Sequence, residues 1–485
     1  MSPGMDPSRA IDALKEAIPD GQFFFRGTAE YGERNSSYLS QLESDLKPAC
    51  IFQPLSIQDV VTFVRTIRPF ACKREAQFAI RGGGQQPAPG CANIQDGITI
   101  DLVNLAGIEI KKGQSLIEVG AGARWGAVYD KLDGTGIGVA GGRANNCGIG
   151  GLALEGGLSF FSSREGFICD NVVNYEIVLA SGEVVSANAK EHPDLWRALR
   201  GGGNNFGIVT RYDFKTFPQG SIWGGNIYYF LPSVPSQIEN LVNELNRPNP
   251  SHETHLMVSI GYAGALIPDP IGLNTVYFTQ AVEHPPELAP FVSVQPQIEQ
   301  YSSVRIMTLK EAATDQAAGV SIGTRCAYMN ITMKSNAAAL IAASEIYKEA
   351  LEPVKSVEGL RCSFTLQPYA ASLLEKSSQN GGNSLGLETT HEPLVSVLLL
   401  SYWQNVGDDS KILEMMGNAL EKIKAEAASR QQLVPYVYMN YAFVNQDPVS
   451  SYGEDSKRHL TEVSGKYDPE GLFQKGCPGG FKLHH

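Results

Sequence analysis

The chain has 485 residues, 43% of them hydrophobic and 19% charged, with a formal net charge of −12. That length exceeds one compact core and allows about three domains, and the composition is that of a globular protein rather than a disordered or fibrous one. The acidic balance argues against a nucleic-acid partner, which needs clustered Lys and Arg, and no run of ~18 uncharged apolar residues supports a membrane span.

Residues 1–20 hold no basic stretch followed by an apolar core, and 10–18 read as a short amphipathic helix. As written the chain lacks a secretory signal, so a cytoplasmic protein is expected, or a secreted one if a signal has been removed. On the same ground the sequons at Asn35 and Asn330 are read as chance. The eight cysteines show neither CxxC nor metal-like spacing and read as buried thiols, with no metal site expected. The closing pair His484-His485 is given no role.

Residues 53–66 combine Pro54, Asp59 in an early turn and the apolar series Val60, Val61, Val64, which predicts a helix. A short strand over 78–80 then runs into Arg81, Gly82, Gly83, Gly84, Gln85 and Gln86, and strand-like residues 98–102 follow. Three consecutive glycines behind a strand let the backbone turn sharply and approach a ligand with no Cβ in the way. Their N–H groups can form a concavity suited to a phosphate. After a strand at 116–119 and a helix at 126–132 comes a second glycine cluster, residues 136–157. A strand at 172–179 and a helix at 193–199 lead to a third run, Gly201 to Gly207, and a strand at 208–214. Repeated close approach of backbone to something flat and phosphate-bearing explains three such runs better than three unrelated loops. No strand–GxGxxG–helix unit with a following acidic residue is present, so a Rossmann domain is not supported.

Beyond residue 221 the texture becomes α+β. Strands are predicted at 221–230, 254–260, 274–280, 360–367 and 395–402, with helices at 235–246, 337–351 and 410–427. The dense apolar run from Leu394 to Tyr402 has the length of a buried strand. No internal repeat or low-complexity segment appears.

The order and spacing of the glycine runs resemble the FAD-binding domain of the vanillyl-alcohol-oxidase/PCMH superfamily, most closely its berberine-bridge-enzyme-like oxidases. The resemblance extends to Pro54, Ser56, Asp59 and Val60, to Gly120, Gly122, Arg124, Trp125, Gly126, Val128 and Tyr129, and to the run Cys169 to Val173. It includes Pro193 to Trp196, Asn440-Tyr441, and Lys466 to Pro469 with Gly471, Leu472 and Phe473. The middle of the chain is matched only loosely. The resemblance implies an α+β protein: a two-subdomain PCMH-type FAD-binding domain over 1–220, an antiparallel-sheet substrate domain flanked by helices over 221–438, and a segment 439–485 returning to the FAD domain. It further implies FAD, with Arg81 opening a loop whose Gly82, Gly83, Gly84, Gln85 and Gln86 donate backbone bonds to the pyrophosphate. Asn145, Gly148, Gly151 and Leu152 should pack along the cofactor, Ile208 and Val209 lie near adenine, and Asn440 with Tyr441 lie near the isoalloxazine. Arg124 and Trp125 are read as holding the fold. Asp170-Asn171 either bond the cofactor or cap a helix or turn.

Three departures stand out. The family's flavin-bonded histidine is Gln85 here, and an amide cannot form that linkage. Aligning the family's Gly-x-Gly-Gly on Gly148 to Gly151 puts Ala144 where a second group carries a flavin-bonded cysteine; Cys147 lies three residues later and would serve only after a local shift. FAD is therefore expected to be noncovalent. Glu155 stands where relatives commonly carry a glycine. It is expected to point to solvent from a short helix, the alternative being a carboxylate beside the cofactor.

The implied activity is oxidation of a small, hydrophobic secondary metabolite: hydride passes to flavin N5, a proton to a base, and O2 reoxidises the flavin, the chemistry being the cofactor's. Candidate bases are Tyr441, Glu388, His391 and Tyr402; a tyrosine would need its pKa lowered from ~10. The rivals are a flavoprotein cyclase and a binding protein with a vestigial flavin site.

Overall fold

A computed structural model describes residues 6–319 and 323–483; His484 and His485 lie outside them. Three sheets organise the described chain. The first has strands β1 (Phe23–Phe25), β2 (Cys50–Phe52), β3 (Phe78–Arg81) and β4 (Ile98–Asp101) in the order β1-β2-β4-β3. β2 and β3 both run parallel to β4, and parallel strands need a crossover. The helix Ile57–Ala71 supplies it, opened by a capping box: Ser56 Oγ accepts from the Asp59 amide at 3.2 Å and the Asp59 carboxylate accepts from the Ser56 amide at 3.0 Å. Val60, Val61, Phe63, Val64 and Ile67 form its buried face. An aromatic ladder follows, with Phe63 stacked on Phe52 at 5.5 Å and edge-on to Phe78 at 5.5 Å.

The second sheet is antiparallel: β5 (Ile108–Ile110), β6 (Leu116–Gly120), β10 (Ile208–Pro218), β8 (Val172–Val178) and β9 (Val184–Asn188) lie in that order, with β7 (Ile137–Val139) pairing the far end of β10. The third sheet begins four residues after β10 ends and is also antiparallel. It comprises β11 (Ile222–Tyr229), β12 (Thr254–Ala263), β13 (Ile271–Phe278), β14 (Arg305–Met307), β15 (Arg325–Lys334), β16 (Arg361–Tyr369), β17 (Leu394–Trp403) and β18 (Leu433–Val434). Their order is β14-β11-β13-β12-β16-β17-β15-β18.

Helices Val234–Leu245, Ala337–Leu351 and Asp409–Ser429 share a core with one face of this third sheet, where Val258, Met329, Ile331, Phe364, Leu366 and Val397 point. Side chains alternate along a strand, so Tyr328, Asn330, His255 and Gln367 face the other way. The chain then rejoins the first sheets. Phe473 meets Phe78 edge-on at 6.1 Å, Asp468 accepts from the amides of Leu472 and Phe473 at 2.8 and 2.7 Å, and Asn205 donates to the Phe481 carbonyl at 2.9 Å. No described helix is long and apolar enough to cross a membrane.

Candidate functional site

β3 ends at Arg81 and its chain turns through Gly82, Gly83 and Gly84, the last at φ +64°. The first and second glycine runs lie backbone against backbone: a Cβ on Gly83 would fall 2.5 Å from Gly148 Cα, and one on Gly148 equally close to Gly83 Cα. Arg124 clasps the two, donating from Nη2 to the Gly83 carbonyl at 3.1 Å and from Nη1 to the Asn146 carbonyl. The third run joins them. Gly82, Gly83, Gly84, Gln85, Gln86, Gly148, Gly150, Gly151, Gly203 and Gly207 line one cleft, with about 1290 Å³ of atom-free space, its open mouth included. Two lining side chains end in buried oxygens with no partner in the protein, Gln86 Oε1 and Asn146 Oδ1. A cradle of bare backbone with unspent polar atoms fits a large, polar, phosphate-bearing cofactor.

Leu152, Val209, Asn440 and Tyr441 also line the cleft. Three residues predicted there do not. Arg81 is buried behind it, donating to the Arg34 and Ser37 carbonyls at 2.8 and 3.0 Å while its guanidinium lies 3.8 Å from the Tyr38 ring centroid. Asn145 donates to Thr314 Oγ1 at 3.2 Å and offers its carbonyl to the Gly126 amide, holding a helix start instead. Ile208 alternates with Val209 on β10 and is buried in the core. Asp170 and Asn171 are structural ties: Asp170 accepts from the Phe167 amide at 3.0 Å and Asn383 Nδ2 at 2.9 Å, and Asn171 donates to the Glu165 and Phe167 carbonyls.

Of the four candidate bases, the structure brings one to the cleft. Tyr441 lines it, and its hydroxyl accepts from Arg143 Nη2 at 2.7 Å and lies within 3.3 Å of the Gln367 amide. Glu388 is elsewhere, paired with Arg197 at 3.0 Å and accepting from the Asn383 amide. His391 sits exposed in the loop before β17. Tyr402 is buried one layer back, its hydroxyl 2.8 Å from that of Tyr328. Tyr328, missed in the sequence, reaches the cleft where Tyr402 does not, meeting Tyr441 edge-on at 6.0 Å.

Arg143 was also missed. It springs from the second glycine cluster and reaches the roofing strands, where Nη2 donates to Gln367 Oε1 at 2.9 Å and Nη1 lies 3.2 Å from both His255 Nε2 and Met257 Sδ. Burial, with the Arg143 charge adding to it, holds His255 well below its ordinary value, so its ring is neutral. None of the side chains that Arg143 is seen to bond is a carboxylate.

Glu155 does not point to solvent, contrary to expectation. The helix before it, Gly150–Leu154, spans only five residues and buries Ala153 and Leu154, which leaves Glu155 at its C-cap on the cleft wall. Asn440 Nδ2 donates to Glu155 Oε2 at 3.3 Å, and burial pushes the carboxyl up to about 8. Lys482 approaches the same cleft through Asn204, to whose Oδ1 it donates at 2.8 Å; burial lowers its ammonium from the ordinary value.

A family model described as a FAD binding domain matches residues 48–188. A FAD-dependent monooxygenase of Fusarium proliferatum (strain ET1) is 36% identical over 466 residues, covering 93% of this chain and 88% of the relative. Among solved structures, Physcomitrella patens BBE-like 1 superposes with a TM-score of 0.79 at 18% identity, over 98% of this chain and 99% of its own. The 6-hydroxy-D-nicotine oxidase from Arthrobacter nicotinovorans gives 0.76 at 20%, over 94% and 97%. Fold and cleft define an FAD-dependent oxidoreductase. The chain belongs to the family of its Fusarium relative, proteins with a FAD-binding domain, and shares the fold of the berberine-bridge-enzyme-like structure.

Proposed function

We propose that the chain is an oxidase of a small, hydrophobic secondary metabolite, holds FAD without a covalent bond, and uses Tyr441 as its base. When bound, FAD supplies hydride acceptance and reoxidation by O2. The three glycine runs offer it their backbone N–H groups, and Gln86 and Asn146 their unspent oxygens. The observation that carries the reading is the Tyr441 hydroxyl on the cleft wall, 2.7 Å from Arg143. A proton leaving the substrate is taken at Tyr441 Oη in its phenolate form, whose negative charge the fixed positive charge of Arg143 stabilises until that proton arrives. Tyr328, Leu39 and Leu152 offer apolar surface to the substrate.

Absence of a tether is supported by the side chains at hand. Gln85 donates weakly to the Gly83 carbonyl at 3.4 Å and holds no nucleophile, and Ala144 holds none. Cys147 borders the cleft, but burial pushes its thiol up to about 11. The thiolate is the reactive form, and at neutral pH this group is a thiol.

Acid precipitation of the purified protein tests the cofactor reading: a yellow supernatant is expected, a yellow pellet refutes the untethered flavin, and no colour in either fraction indicates a vestigial site. Metabolite extracts incubated with the protein under air and argon then test the reaction. Peroxide matching product supports the oxidase. Oxygen from O2 in the product would instead make the chain a monooxygenase, as its Fusarium relative is named. An isomeric product formed without O2 consumption would make it a cyclase.

A further inference from the structure

We propose that Glu155 enters the cofactor complex as a neutral carboxylic acid donating a hydrogen bond to the bound FAD, so that binding takes up a proton whenever this side chain is ionised beforehand. The proposal rests on FAD being the occupant of the cleft. A carboxylate on that wall would face a dinucleotide with a doubly charged pyrophosphate, and the protein does little to stabilise it. Its hydrogen-bond donor is the Asn440 amide at 3.3 Å, and that amide is shared with the Gly151 and Leu152 carbonyls, each at 3.4 Å.

The titratable groups that face Glu155 are Cys91 from the loop after the first glycine run, Tyr212 from β10 and Tyr452 beyond the short helix Pro448–Ser451. Burial raises all three, so none carries charge at neutral pH. Lys482 touches the cleft through Asn204, and its charge acts on Cys91; it is not among the causes acting on Glu155, where burial alone is at work. An acid in such surroundings is neutral near pH 7, and a neutral carboxylic acid has one O–H to donate. The anionic cofactor then draws its titration further upward, which couples proton uptake to binding.

The test follows flavin release from the full-length holoprotein on dilution, read as the rise of free-flavin fluorescence, between pH 6.5 and 9. The FAD dissociation constant should be nearly flat below pH 7 and weaken about tenfold between pH 7 and 9, while E155Q, which keeps a donor but cannot ionise, stays flat and tight. A flat wild-type profile, or the same slope in E155Q, overturns the proposal. Should E155Q not fold, calorimetric rebinding of FAD to the wild type at pH 8.5, in two buffers of different ionisation heat, must show net proton uptake; none overturns it. Protein that binds no FAD at any pH refutes the FAD reading itself, and flavin that survives denaturation overturns the untethered reading together with this one.

Discussion

The floor and the roof of the cleft are built on opposite principles. The floor is backbone: Gly83 and Gly148 touch main chain to main chain, Arg124 laces their loops together, and the surface offered to a ligand is N–H groups at fixed places. The roof is side chains: Tyr441 and Tyr328 come from separate elements and meet edge-on at 6.0 Å, and behind Tyr441 stand Arg143 and Gln367. A backbone floor tolerates almost no added atom yet is indifferent to most chemistry. A side-chain roof can be altered one functional group at a time without disturbing what lies beneath.

That contrast predicts where substitutions act. Gly148→Ala drives a methyl into Gly83 Cα, where neither partner has a side chain to yield; overpacking of this kind costs about 1–3 kcal/mol. Flavin content at purification should drop by ~tenfold or more, and an unchanged absorbance near 450 nm would break the contrast. Tyr441→Phe should keep the flavin spectrum while kcat falls about 10²–10⁴-fold, the usual worth of a positioned acid or base; loss of flavin instead would place Tyr441 in the floor. Tyr402→Phe removes the hydroxyl behind Tyr328 and should lower kcat by less than roughly tenfold, since one neutral hydrogen bond is worth about 1 kcal/mol. The smallest effect belongs to Ser56→Ala, which removes the cap of helix Ile57–Ala71. It should cost about 1 kcal/mol in denaturant unfolding and leave both flavin affinity and kcat unmoved.

The same contrast explains what was legible in the sequence. Glycine runs announce themselves because only glycine permits such contacts, so the floor was readable almost residue by residue. Helices Pro193–Leu199 and Ala337–Leu351 were readable at their bounds, the first from proline at its opening turn and the second from its apolar periodicity. Arg81, Asn145 and Ile208 went astray because a motif records which residues recur, not which way a side chain points. Glu388 and His391 were drawn from a polar stretch that packs on Arg197 or faces water. Two signals lay in view unused. Thr308 and Glu311 form a capping box that opens the helix Leu309–Ala317, and the alternation through Tyr328, Asn330 and Thr332 against Met329, Ile331 and Met333 marks β15 as a strand with one polar face. Arg143 had no local signal: its partners Gln367 and Tyr441 lie more than two hundred residues further along the chain.

Gly82 and Gly480 border the same cleft, so the surface that would grip a cofactor is assembled from segments that meet only when folding is complete. A ligand held there acts as a staple across the whole sequence, and by mass action its binding free energy adds to the stability of the native state. Colour and fold should therefore be lost together on heating, at a temperature that climbs as free FAD is raised.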